Sequence, residues 1–107
     1  MKCDKRSAEL NTSALAISNV HYVLSKYTGA VASKRNLKSM IKTVKVLSLE
    51  NDVIDLALDS PFSDFEDAIQ NLIAERYNCG VIITRNTKDY KQSNLPVFTA
   101  EQFLRTL

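Results

Sequence analysis

The sequence predicts an α/β fold, three-layered and helix-rich, around a short parallel sheet. Short β-branched or apolar runs alternate with longer amphipathic segments, the order of a layered α/β domain. One of those runs, "GVIIT", is apolar at successive positions, as expected of a parallel strand covered on both faces. Gly and Pro occur only twice each, so few tight turns interrupt the helices. A chain of 107 residues is sized for a single domain with a real core.

The elements follow in order. "ELNTSA" is a short extended segment leading to a helix cap at Thr12 or Ser13. "ALAISNVHYVLSKY" has apolar residues at Leu15, Ile17, Val20, Val23, Leu24 and Tyr27, mostly in steps of three and four, and predicts a helix packed on one or two faces. Gly29 is placed to end it. A second helix is predicted over 30–43, with Lys34, Lys38 and Lys42 as one stripe. "VKVLSL" reads as a strand and "ENDVIDLALD" as a short helix with Val53, Leu56 and Ala57 inward. "SPFSDFEDAIQNLIAERYN" is the next helix, closed by Gly80, and "GVIIT" is the strand after it. "RNTKDYKQSNL" reads as a loop, "PVF" as a short edge strand, and "TAEQFLRTL" as a last helix begun by Thr99. The strands are few and short for so much helix, as though the sheet lacked its middle.

The totals exclude several classes. A net charge of +2 is too small to argue for nucleic acid without an uneven distribution. Cys3 and Cys79 form no CxxC pair, which suits a reducing compartment and argues against a disulfide scaffold or a zinc cluster. No apolar run approaches the roughly 18 residues of a membrane span. The start "MKCDKRSAEL" lacks the apolar core of a signal peptide. A cytoplasmic protein with no membrane partner is expected.

Two segments carry chemistry. In "SPFSDFEDAIQ", Asp64, Glu66 and Asp67 place three carboxylates in four positions. Ser63 and Glu66 have the spacing of a capping box, and Asp64, as first helical residue, would favour the helix dipole. Asp67, read as the fourth helical residue, lies past the positions a cap needs. With Asp64 and Asn71 it forms a stripe that could hold a hard cation through oxygen ligands. Capping and metal binding both remain open from this helix alone. The second segment, "IITRNTKDY", runs a buried strand into a loop bearing Thr84, Arg85, Asn86 and Asp89. Ligands of open parallel sheets bind beyond such strand ends, although Asn86 and Asp89 could equally make the turn. One helix joins the two segments, so both can reach the same sheet edge.

"SDFEDAIQ", then "VIITRNTKDY" and "LPVFTAEQFL", resembles the carboxyl-terminal half of a PIN domain, and the resemblance reaches back through "TSALAISNVHYVLSKY" to about Leu10. It implies a magnesium- or manganese-dependent ribonuclease, often the toxin of a toxin–antitoxin pair, in which clustered acids hold metal that activates water against an RNA phosphodiester. By position, the resemblance implies catalytic and metal roles for Asp67, Asp64 and Asp89, with Asn86 as a further ligand. Thr84 and Arg85 would contact metal-bound water or phosphate. Asn19 stands near the place where many PIN domains carry a glutamate, and an amide there should weaken metal affinity. The family also opens with a buried strand ending in aspartate, whereas "MKCDKRSAEL" is similar to the tail of the first helix, and Asp4 does not match the missing acid. The resemblance therefore implies an N-terminally truncated PIN-like domain without its first strand. Absence of a central strand would leave unpaired backbone groups, each costing about 1–3 kcal/mol if buried, so self-association into a homo-oligomer is expected.

An alternative reading is a catalytically impaired PIN-like module that binds RNA, an antitoxin or itself. His21 and Cys79 are read as structural. The stripe Lys34, Lys38 and Lys42, with Arg35 beside it, is either a solvated helix face or a phosphate-binding stripe. Tyr22 and Tyr27 are read as core or dimer contacts rather than base-stacking platforms.

Overall fold

The computed structural model describes residues 9–106. The readings that fall on residues 1–8, including Cys3, Asp4 and the first-strand comparison, lie outside the described residues. The rest divides into two compact units, one ending at Leu49 and one beginning at Glu50. Each contains helices and a two-stranded parallel sheet, which is α/β architecture.

In the first unit β1 (Asn11–Ser13) pairs in parallel with β2 (Lys45–Leu47), in the register Asn11 with Lys45 and Ser13 with Leu47. The connection between them is α1 (Ala14–Thr28) and α2 (Ala30–Met40). Ser13 is the last strand residue and also the cap of α1, its Oγ accepting the Ala16 N–H at 2.9 Å. That bond satisfies one of the donors a helix start leaves open. Gly29 alone separates the two helices. Its φ of 85° lies in the left-handed region that favours glycine, so the chain reverses without a longer loop. His21 Nδ1 lies 2.8 Å from the Oγ of the fully buried Ser33, a polar link from α1 to α2.

Three expectations are corrected here. No residue of α1 is fully buried: Leu15, Ile17 and Leu24 are partly covered, while Val20, Val23 and Tyr27 are exposed. Tyr22 and Tyr27 are 64% and 83% exposed and are not core residues. Apolar spacing marks a face able to pack, but burial also needs a surface opposite it. Lys42 lies in the turn after α2, so only Lys34 and Lys38 share that helix.

The second unit begins with α3 (Asn51–Leu58), which packs on α4 (Phe65–Arg76). Val53 and Ala57 are buried as a one-turn pair, but Leu56 points outward and is 48% exposed, against expectation. Position 56 lies about 80° around the helix from the middle of the stripe formed by 53 and 57, off the narrow face a two-turn helix can bury. Ala68, Ile69 and Ile73 are the buried apolar residues of α4. Arg76 ties the end of α4 to the start of α3, donating to Asp52 Oδ1 at 2.6 Å and Oδ2 at 2.5 Å, and to Glu50 Oε1 at 3.2 Å. The guanidinium holds the Asp52 carboxyl below its usual range.

Asn78, not Gly80, closes α4. Its φ is 58°, its N–H donates to the Glu75 carbonyl, and the Cys79 N–H donates to the Ala74 carbonyl, the paired bonds of a Schellman motif. Next comes β3 (Ile82–Ile83), which pairs in parallel with β4 (Val97–Phe98). It is shorter than "GVIIT" suggested, and Ile83 is 42% exposed, so it is not covered on both faces. A 3-10 turn over Thr87–Tyr90 interrupts the expected loop. The last helix, α5 (Ala100–Leu104), starts at Thr99 with a reciprocal capping box to Gln102. No helix among the described residues is long and apolar enough to cross a membrane.

Candidate functional site

Asp64 is the N-cap of α4: its backbone is extended and its Oδ1 accepts the Asp67 N–H at 3.0 Å. The expected Ser63–Glu66 capping box is therefore not what starts the helix. The cap lies one residue later, which makes Asp67 the third helical residue rather than the fourth. Like Glu66, it stands in the first turn, where a negative charge is favoured by the helix dipole. What the dipole does not explain is the direction of its side chain. Asp67 Oδ1 accepts a hydrogen bond from the hydroxyl of Tyr90 at 3.2 Å, across to the 3-10 turn. Tyr90 is buried, 8% exposed, and meets the ring of Phe62 edge-on with centroids 5.9 Å apart.

One helical turn further along α4 a second contact reaches the same segment. Asn71 is buried; its Oδ1 accepts from Ser93 Oγ at 2.5 Å and its Nδ2 donates to Glu75 Oε2 at 3.0 Å. The Ser93 N–H in turn donates to the Tyr90 carbonyl at 3.0 Å, so positions 90 and 93 are spaced by one turn, as positions 67 and 71 are. Tyr90 and Ser93 thus fasten the 3-10 turn along α4 by two polar rungs. Asp67 and Asn71 belong to the stripe read from the sequence with Asp64 as a cation site; the phenol and hydroxyl that meet them lie in a segment that reads only as loop.

The "TRN" corner is shaped by backbone and by Thr84. The Thr84 N–H donates to the Phe98 carbonyl at 2.9 Å, its Oγ1 accepts the Asn86 N–H at 3.2 Å, and the Asp89 N–H donates to the Asn86 carbonyl at 3.0 Å. The side chains of Asn86 and Asp89 are not used to make the turn; both are exposed, and among the described residues neither has a hydrogen-bond partner. The turn explanation of these two residues therefore loses its main support. Arg85 is exposed beside them.

These placements bring Asp64, Asp67 and Asp89 into one electrostatic neighbourhood. Partial burial pushes the Asp67 carboxyl above its ordinary range, and the charges of Asp64, Asp89 and Glu66 add to the effect, while the Tyr90 hydroxyl opposes it. Burial, the charge of Asp67 and the hydrogen bond to it, and the charges of Asp64 and Asp89 push the Tyr90 phenol up, so it remains protonated and a donor at neutral pH. A surplus of negative charge on carboxylate and amide oxygens suits a hard dication. Among the described residues no three His, Cys, Asp or Glu side chains converge as a ready metal cage. The carboxylates of Asp64, Asp67 and Asp89 offer oxygens of the type Mg²⁺ takes through one or two carboxylates, with water completing its shell.

Asn19, Lys34 and Lys38 belong to the other unit. All three are exposed, Asn19 on α1 and the two lysines one turn apart on α2.

Comparison with known proteins agrees with this architecture. A PIN domain family model matches residues 2–88. Ribonuclease VapC1 of Aquifex aeolicus (strain VF5) is 28% identical over 100 residues, covering 89% of this chain and 68% of the relative. No solved structure matches. With the family model spanning most of its length, the chain belongs to the PIN domain family.

Proposed function

We propose that this protein is a divalent-metal-dependent endoribonuclease, a single PIN-type domain acting as the toxin of a toxin–antitoxin pair in the cytoplasm. The observation that carries the reading is Asp67: a partly buried carboxylate held by Tyr90 and crowded by Asp64 and Asp89, in a chain of the PIN family. Similarity to a ribonuclease supports RNA as the substrate.

Asp67, Asp64 and Asp89 would hold Mg²⁺ or Mn²⁺, with Asn86 as a neutral oxygen donor. When bound, such a cation lowers the pKa of coordinated water and offsets charge on the phosphate. The chain's own residues supply the frame. Asp64 fixes the first turn of α4 through the Asp67 N–H, and Thr84 fixes the corner that presents Arg85 and Asn86. Arg85 offers a planar, permanently charged donor to a phosphodiester. Lys34 and Lys38 add sequence-independent attraction for the backbone, and Asn19 a polar contact. A second copy of the chain is the expected partner besides the antitoxin, and a clean monomer by light scattering at micromolar concentration would count against it.

One observation favours a second reading, a PIN-like module with impaired catalysis that binds RNA, an antitoxin or itself. No three of the described His, Cys, Asp and Glu side chains gather as a ready metal site. An assay on structured and unstructured RNA separates the two readings. Cleavage in Mg²⁺ or Mn²⁺ that is abolished by chelation and by Asp67→Asn supports the enzyme. RNA retention without cleavage, unchanged in Asp67→Asn, supports the module.

A further inference from the structure

We infer that Tyr90 is a positioning residue for the metal-binding carboxylate, acting through Asp67 and not on the substrate. The inference rests on the reading of Asp67 as a metal ligand.

A carboxylate at the start of an exposed helix turn would ordinarily sample several rotamers. Asp67 is restrained twice. Its own N–H is taken by the Asp64 carboxylate, which fixes the local backbone, and its Oδ1 is held by the Tyr90 hydroxyl at 3.2 Å. Tyr90 can act as a fixed post because its ring is buried, braced edge-on by Phe62, and because its segment is fastened again at Asn71–Ser93. With Oδ1 engaged, Oδ2 remains: among the described residues no hydrogen bond is made to it. The geometry thus sorts the two oxygens of one carboxylate, one for the protein and one for a ligand. Partners of this outer kind fix ligand orientation and lower the entropy lost when a metal binds. The same 3-10 turn carries Asp89 next to Tyr90 in the sequence.

The chemistry of the tether is specific. A phenylalanine would keep the packing against Phe62 but could not donate to Asp67. The function of the hydroxyl is therefore separable from that of the ring.

Manganese titration by calorimetry tests this on the full chain, with wild type, Asp67→Asn, Tyr90→Phe and Phe62→Leu. Tyr90→Phe is expected to remain folded and to lose roughly ten-fold or more in Mn²⁺ affinity, the usual cost of removing an outer-shell partner. Phe62→Leu keeps the hydroxyl but loosens its brace; it should lower the melting temperature and weaken Mn²⁺ binding clearly less than Tyr90→Phe does. If wild type binds and Asp67→Asn does not, but Tyr90→Phe binds as wild type does, the inference fails while the metal site stands. Equal losses in Tyr90→Phe and Phe62→Leu would also overturn it, because packing alone would then explain the effect. If wild type itself binds no manganese, the metal reading and this inference fall together.

Discussion

Asn71→Ala removes the inner of the two rungs that fasten the 3-10 turn to α4. Asn71 is 4% exposed and uses both ends of its amide, Oδ1 toward Ser93 and Nδ2 toward Glu75. The neutral bond is worth about 0.5–1.5 kcal/mol and the bond to a charged group about 1.5–3 kcal/mol. Glu75 is only half-buried and can regain water, which puts its share at the low end. The Ser93 hydroxyl would lose its acceptor while still accepting the Leu95 N–H at 3.0 Å. A loss of about 2–3 kcal/mol follows. At roughly 4 °C per kcal/mol for a chain of this size, the melting temperature should fall by about 8–12 °C. Urea denaturation followed by circular dichroism measures the first quantity, and a thermal scan the second. Limited trypsinolysis adds a local readout, since cleavage after Lys88 and Lys91 should accelerate once the turn is held by Tyr90 alone. A loss below about 0.5 kcal/mol with unchanged proteolysis would refute the fastening, because so small an effect belongs to an ordinary surface substitution.

Two other outcomes are expected. Asp67→Asn should raise the melting temperature of the metal-free protein at pH 7 and leave it unchanged near pH 3. A carboxyl whose folded pKa is raised contributes stability below the unfolded pKa of 3.8 and loses it as pH rises through the folded value, and the amide abolishes that loss. Equal shifts at both pH values would contradict the crowding of acids. Ile73→Ala, at a position 2% exposed, should cost about 2–5 kcal/mol by urea denaturation through lost burial and the cavity left. A smaller loss would mean that α3 and α4 close over the gap.

Much of this structure was legible because the deciding physics is local. Ser13, Gly29 and Thr99 stand where a cap or a left-handed turn is needed, and the structure uses each of them so. Asp67 and the "TRN" corner were recognisable for the same reason, as spacings along one helix and one strand end. What escaped depended on tertiary partners. Leu56 and the exposed face of α1 have the spacing of core residues, but spacing cannot say whether anything lies opposite. The cap fell at Asp64 instead of Ser63 because both residue types cap well and only the backbone angles choose between them. Asn78 in place of Gly80 is the same kind of near-miss, since asparagine tolerates a positive φ almost as a glycine does. Tyr90 was hidden because its role consists of a contact across 23 residues of sequence.

Whether the acids around Asp67 hold a divalent cation is decided by calorimetric titration of manganese into the intact chain. Saturable binding is expected, weakened by at least an order of magnitude in Asp67→Asn and competed away by excess magnesium. No heat of binding at millimolar manganese, or equal affinity in wild type and Asp67→Asn, would contradict it.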